Sequence, residues 1–208
     1  GAGEFADNHV RFAVLGKAAL AWRPADILHV HDWQGAPAAI YARLQPRAPG
    51  IVATIHNLAY RGIYPKHAVD ELGLPWSLFD LHHLEFYDQL CLLKGALAAA
   101  DAVTTVSPTY AREITTPERG EALDGFLRHD VGRIVGIVNG IDATAWDPAR
   151  DRAIAAPFAP GALAGKATCR AAIAAELGLS LAGDDLLVAV IARLTGQKGV
   201  DLIADAVP

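Results

Sequence analysis

The sequence predicts an α/β fold built on a parallel sheet, and three observations carry that expectation. Short apolar runs rich in β-branched residues, "DILHV", "GIVATIH", "DAVTTV" and "RIVGIV", alternate with stretches of helical period. The first two runs, with a helix-like segment between them, fit within about thirty residues, the spacing of a βαβ unit. Proline or an Asn-Gly pair marks the joins between segments.

Apolar residues recur at helical spacing through Phe12, Leu15, Ala19 and Leu20, which predicts a helix over residues 7–22 that Arg23-Pro24 ends. "DILHV" reads as a short buried strand. "GAPAAIYARLQ" reads as a helix with Pro37 in its first turn, where a missing N–H is harmless. "GIVATIH" is the next strand. "HHLEFYDQLCLLKGALAAA" reads as one strong helix over residues 82–100, and "DAVTTVSP" as a strand stopped by Ser107-Pro108. A short helix, "PTYAREI", follows, then a strand, "RIVGIVNGID", that ends in an Asn-Gly turn. Residues 146–166 are rich in proline, alanine and glycine without a clean period and read as a linker. A helix, "ATCRAAIAAELGL", has Gly178 as its C-cap, and "DLLVAVIARL" opens a fresh sheet and turns at "TGQKG".

Composition narrows the function classes. Hydrophobic residues make up 52% and charged residues 20% of the 208, so a packed core is available. A net charge of −5 argues against a nucleic-acid binder held by phosphate contacts. It does not argue against a small polyanion, which a few local cations can hold. Two distant cysteines, Cys91 and Cys169, form neither a disulfide framework nor a metal cluster, and a reducing cytoplasm is the default. The run "LLVAVIA" is far short of a bilayer span, so no membrane partner is expected. The chain has no methionine, opens on glycine and closes just after a helix begins, so a piece of a longer protein is expected.

Right-handed crossovers make the first two strands parallel, with their carboxyl ends on one edge. His31-Asp32 and His56-Asn57 then sit side by side at the rim where open α/β folds bind ligands. Either pair alone reads equally well as a strand end with a helix cap; the two together favour a site. Asn139-Gly140 by itself is a turn, and Ser107-Pro108 a helix start. In "ARLTGQKG", Arg193 closes an apolar run and Lys198 follows five residues on, beside two glycines. That combination suits a diphosphate: arginine grips oxygen pairs, lysine adds a mobile charge, and glycines let backbone N–H groups approach. Trp33, Tyr60 and Tyr64 offer aromatic faces for sugar rings, whereas Trp76 and Tyr87 read better as core.

The segments "HVHDWQGAPAAIY", "TIHNLAYRGIY", "LPWSLFDLHHLEFYDQLCLLKGALAAADAVTTVSPTYAREI", "GIVNGIDATAWDPARD" and "ARLTGQKGVDLI" resemble, in order and gaps, the bacterial glycogen synthase and plant starch synthase family. The resemblance implies a Rossmann-like parallel sheet with helices on both faces, one half of a GT-B architecture plus the start of the second domain. Residues 1–147 would be the N-terminal domain, 148–165 the interdomain linker and 166–208 the opening of the C-terminal domain. It further implies a retaining glucosyltransferase extending an α-1,4-glucan from ADP-glucose or UDP-glucose, with no metal and no other cofactor. Carried over by position, Asp32, His56 and Asn139 would meet the glucosyl unit in the cleft, and Arg193 and Lys198 the departing diphosphate. His31, Trp33, Asn57 and Tyr60 are weaker candidates for sugar contact. The partners implied are a glycogen or starch acceptor and the nucleotide sugar, in a bacterial cytoplasm or a plastid.

The family's N-terminal lysine-glycine loop and nearly all of its C-terminal domain have no counterpart in these residues. The 208-residue chain alone is therefore expected to lack synthase activity and to self-associate. Two other readings stand beside the synthase. One is another GT-B transferase, of the sucrose or trehalose type; the other is an inactive glucan-binding fragment. A dinucleotide oxidoreductase fits poorly, because no glycine fingerprint follows a predicted strand.

Overall fold

A computed structural model describes residues 5–183 and 185–206, and divides the chain into two compact units between Gly140 and Ile141. In the first, helix α1 (Asn8–Trp22) leads to strand β1 (Ile27–His31), which passes without a loop into α2 (Asp32–Arg43). Strand β2 (Gly50–Ile55), strand β3 (Ile63–Pro65) and the single turn α3 (Ala68–Glu71) come next. A hairpin of β4 (Glu85–Phe86) and β5 (Gln89–Cys91) then enters α4 (Leu92–Ala99), followed by β6 (Ala102–Thr105) and α5 (Pro108–Glu113). The short α6 (Asp124–Phe126) continues into a π-helical turn, Leu127–Val131, before β7 (Ile134–Gly136).

The main sheet is parallel, in the order β1-β2-β6-β7, and it is flanked by helices as the sequence predicts. Strand order in this sheet follows chain order. Helices α2, α4 and α5 pack on these strands, and Val30, Ala53, Ile55 and Val103 share one buried face of the sheet. Ala36, Ala38, Ala39 and Ala42 of α2 are buried, and their small side chains let α2 lie closely between α1 and α4. The opposite face carries His29, His31, Thr54 and Thr104, because residues two apart share a side of a strand.

A second, antiparallel sheet has the order β3-β5-β4. It corrects the single helix expected over residues 82–100, of which only the second half, α4, is helical. Tyr87 and Asp88 turn the hairpin with φ of 51° and 61°, the geometry of a type I′ turn. Lys66 holds the tip through both Asp88 oxygens at 2.8 Å. The buried Lys94 donates to the carbonyls of Leu81 and Glu85, both at 2.6 Å, and ties the hairpin to α4. Trp76 and Tyr87, expected in the core, are exposed instead. Tyr87 sits on the hairpin tip, and Trp76 lies against Phe79 with its Nε1–H donated to Asp70.

Helix α2 begins three residues earlier than expected, which puts Pro37 in its second turn, where the Trp33 carbonyl lacks its usual i+4 donor. The last strand is also shorter than predicted. The final ladder bond runs from Ile137 N–H to the Thr105 carbonyl at 2.8 Å, and Val138 beyond it is exposed.

The second unit contains α7 (Gly165–Glu176), a 3₁₀ turn at Gly196–Lys198 and α8 (Val200–Ala206). Gly178, at φ 65°, ends α7 as predicted, with Leu179 N–H bonding the Ala174 carbonyl and Gly178 N–H the Ala175 carbonyl. The strand expected at "DLLVAVIARL" is not formed among the described residues; Ile191 within it is 99% exposed. A strand exists only as one member of a hydrogen-bonded pair, and among the described residues this run has no such partner. No helix of the described residues is long and apolar enough to cross a membrane.

Candidate active site

Strands β1 and β2 end side by side, and the residues at their ends are joined by hydrogen bonds. Asp32 follows β1 directly and adopts φ 51°, a left-handed conformation that costs a residue with a side chain about 1–2 kcal/mol. That backbone turns its carboxylate toward the end of β2. Oδ1 accepts the His56 N–H at 2.7 Å and, more weakly, the Asn57 N–H at 3.4 Å. The strain is held by what surrounds it, a pattern that clusters at functional sites.

The loop after β2 has its backbone donors satisfied one by one. Leu58 N–H donates to the Tyr110 hydroxyl at 3.0 Å, Ala59 N–H to Asn57 Oδ1 at 3.0 Å, and Tyr60 N–H to the Asn57 carbonyl at 3.2 Å. Beneath it, the Thr105 hydroxyl donates to the Ile55 carbonyl at 2.7 Å and fixes the strand end. His56 is thus presented, exposed, on a loop with little freedom to move.

His31 stands beside it, with Nδ1 3.0 Å from His56 Nε2. His29, two residues back on the same face, lies with its ring centroid 4.3 Å from that of His31 and its Nε2 2.7 Å from Thr54 Oγ1. Thr54 Oγ1 is in turn 2.6 Å from Thr104 Oγ1. A polar lane therefore crosses three strands on one face of the sheet. Partial desolvation at the rim, then the neighbouring His29 and His56, lower the His31 pKa from its ordinary value, against the opposing pull of Asp32. The expected residues omitted His29, Thr54, Thr104 and Tyr110. Counting back two from His31 reaches His29 in sequence, but nothing local points to Tyr110.

The structure brings together His31, Asp32, His56 and Asn57. Tyr60 is exposed at the end of the same loop. Trp33 requires a correction as a sugar platform: it is 3% exposed, packed edge-on to Phe12 and tilted against Tyr64. Gly62, at φ 64°, covers the ring so closely that a Cβ there would lie 2.7 Å from Trp33 Cε3. Only an edge of Trp33 reaches the cleft of about 200 Å³ lined by Tyr60, Arg61 and Tyr64. The indole supports the rim from beneath.

Asn139 is exposed three residues beyond β7, with β6 standing between β7 and β2. Two strand spacings amount to about 10 Å, and no bond joins Asn139 to Asp32 or His56 among the described residues. A cavity of about 440 Å³ lies elsewhere in this unit, between the hairpin and residues 122–130, and none of these rim residues lines it. In the second unit, Arg193 lies in irregular chain and Lys198 closes the 3₁₀ turn before Gly199, at φ 65°; both are exposed. Among the described residues, no group of three His, Cys, Asp or Glu side chains is arranged to hold a metal ion.

Comparison with known proteins gives this rim a context. A family model for the starch synthase catalytic domain matches residues 1–129. The glycogen synthase of Anaeromyxobacter dehalogenans (strain 2CP-C) is 51% identical over 97% of this chain and 45% of its own length. The glycogen synthase of Geotalea daltonii is 45% identical over 99% of this chain and 45% of its own. Among solved structures, the catalytic domain of starch synthase IV from Arabidopsis thaliana, bound to ADP and acarbose, matches with a TM-score of 0.84. It is 34% identical and covered over 45% of its length, against 99% of this chain. This chain thus spans under half the length of the curated relatives it matches. A family match over more than half of its residues, on a fold shared with a starch synthase, makes the chain a member of the starch synthase catalytic domain family.

Proposed function

We propose that this chain is part of a retaining glucosyltransferase that extends an α-1,4-glucan, glycogen or starch, from ADP-glucose. The observation that carries the reading is the bonded pair of strand ends, Asp32 to His56, in a member of this family. Relatives named glycogen synthase and a starch synthase bound to ADP and acarbose support the substrate class.

In this reading His56 and Asp32 meet the glucosyl unit, Asn139 approaches the same sugar, and Arg193 and Lys198 neutralise the diphosphate. His31, Asn57 and Tyr60 surround the sugar side. As ADP leaves, negative charge grows on its distal phosphate and positive character on the sugar carbon. Fixed cations stabilise the first, and prearranged polar groups orient the second. The reading assigns no metal and no cofactor beyond the nucleotide sugar. It places residues 1–147 in the N-terminal Rossmann-like domain of a GT-B enzyme, 148–165 in the linker and 166–208 in the second domain, in a cytoplasmic protein.

The test is transfer of labelled glucose by the polypeptide that carries this chain. ADP-glucose and UDP-glucose are offered as donors, and glycogen and fructose as acceptors. Incorporation from ADP-glucose into glycogen is expected. Transfer to fructose alone, or none to any acceptor, overturns the reading.

A further inference from the structure

We propose that His31 is a positioning residue for His56: the Nδ1···Nε2 hydrogen bond locks the two rings into the same neutral tautomer and fixes which nitrogen of His56 faces a ligand. The consequence for catalysis rests on the proposed function; the geometry does not.

The bond is 3.0 Å long and joins two nitrogens, so one must carry the proton and the other accept it. If His31 Nδ1–H donates, His56 Nε2 is the acceptor, and a neutral His56 then holds its proton on Nδ1. Both rings are Nδ1–H tautomers. If His56 Nε2–H donates, His31 Nδ1 is bare and its proton sits on Nε2. Both rings are then Nε2–H tautomers. Mixed pairs break the bond. In either case His56 Nε2 is engaged, and Nδ1 is the ring nitrogen left to face a ligand.

Three features separate this from ordinary packing. First, His31 is exposed, and it lies on the face opposite the core residue Val30, so its ring fills no void. Second, it is braced from behind by His29, which is anchored to Thr54 and through it to Thr104. The register sets the third: His31 pairs with Thr54, so His56, two residues on, is its diagonal neighbour on the same face. Asp32 grips the His56 backbone while His31 grips the ring. Backbone and side chain are thus oriented by consecutive residues of one strand end.

Nitrogen-15 NMR of the histidine rings in the 208-residue chain, at about pH 8 where unperturbed histidines are neutral, tests this without substrate. The expected spectrum shows His31 and His56 in the same tautomer. Opposite tautomers on the two rings overturn the proposal, and that measurement requires no variant. In His31→Phe, His56 is expected to relax to a mixture of tautomers. His31→Asn, which retains a hydrogen-bonding group near the Nδ1 position, is expected to restore one. An unchanged His56 signal in a folded His31→Phe chain also overturns it. A failure here leaves the glucosyltransferase reading standing, and a failure of glucose transfer leaves the tautomer result standing.

Discussion

Asp32 and His56 sit at the ends of neighbouring parallel strands, and the carboxylate of the first accepts the backbone N–H of the second at 2.7 Å. The bond ties the first residue of α2 to the loop that follows β2. It is made possible by a left-handed backbone at Asp32, a conformation that glycine adopts freely and aspartate at a smaller penalty than most residues with a Cβ.

The two effects separate by substitution. Asp32→Asn keeps an acceptor for the His56 N–H and is expected to fold within about 0.5 kcal/mol of the parent. Asp32→Ala loses the acceptor and keeps the strain, with a loss of about 1–3 kcal/mol. Asp32→Gly also loses the acceptor but relieves the strain, and should be about 1 kcal/mol more stable than the alanine variant. Urea unfolding of the three variants reads the order. Alanine and glycine variants of equal stability would show that the backbone at Asp32 is unstrained.

The pH dependence of stability reports on His31. Its pKa in the folded chain lies below the ordinary 6.5, chiefly through partial desolvation and then through His29 and His56. The groups facing it are His29 from β1, His56 from the end of β2 and Asp32 from α2, the last opposing the shift. Protonation therefore favours the unfolded chain. The contribution is whole above the ordinary value and is lost as pH falls through the lowered one. Asp101, held below the carboxylate range by the Ile51 N–H and then by Arg43, loses its contribution only in more acid solution. His31→Asn should flatten the unfolding free energy between about pH 7 and pH 5, the span of the histidine switch. An unchanged slope over that span would remove His31 from the pH response.

Much of this arrangement was legible in the sequence, and the missing parts share a cause. Strand ends, helix caps and the βαβ spacing depend on residues close in the chain, so Asp32 and His56 could be placed at one rim. The β4–β5 hairpin could not, because its turn is Tyr87-Asp88 rather than a glycine-bearing pair. Its strands are held by Lys66 and Lys94, each well separated from what it binds. The burial of Trp33 was hidden for the same reason. Gly62 covers it from twenty-nine positions away along the chain.

Gly62 gives the third prediction. Its φ of 64° suits glycine, and an added Cβ would lie 2.7 to 3.0 Å from three atoms of Trp33. Gly62→Ala combines a left-handed backbone penalty of about 1–2 kcal/mol with overpacking of about 1–3 kcal/mol. The expected result is a lowered urea midpoint together with a changed Trp33 fluorescence. A midpoint within error of the parent would show that the rim yields without resistance.

The last prediction concerns Arg193 and Lys198 in the polypeptide that carries this chain. Under the proposed function their charges act on the diphosphate as it departs, when its negative charge exceeds that of the bound donor. An interaction that strengthens toward the transition state appears in kcat, whereas one shared equally by ground and transition states appears in KM. Arg193→Ala and Lys198→Ala should each lower kcat by about a hundredfold or more, the range for losing a prearranged charge contact. Glycogen affinity should stay nearly constant, because neither cation is assigned to the acceptor. Turnover with ADP-glucose and a separate glycogen-binding measurement distinguish the two effects. A near-normal kcat in either variant removes that residue from the chemistry. A parallel loss of glycogen affinity would instead move its role to the acceptor side.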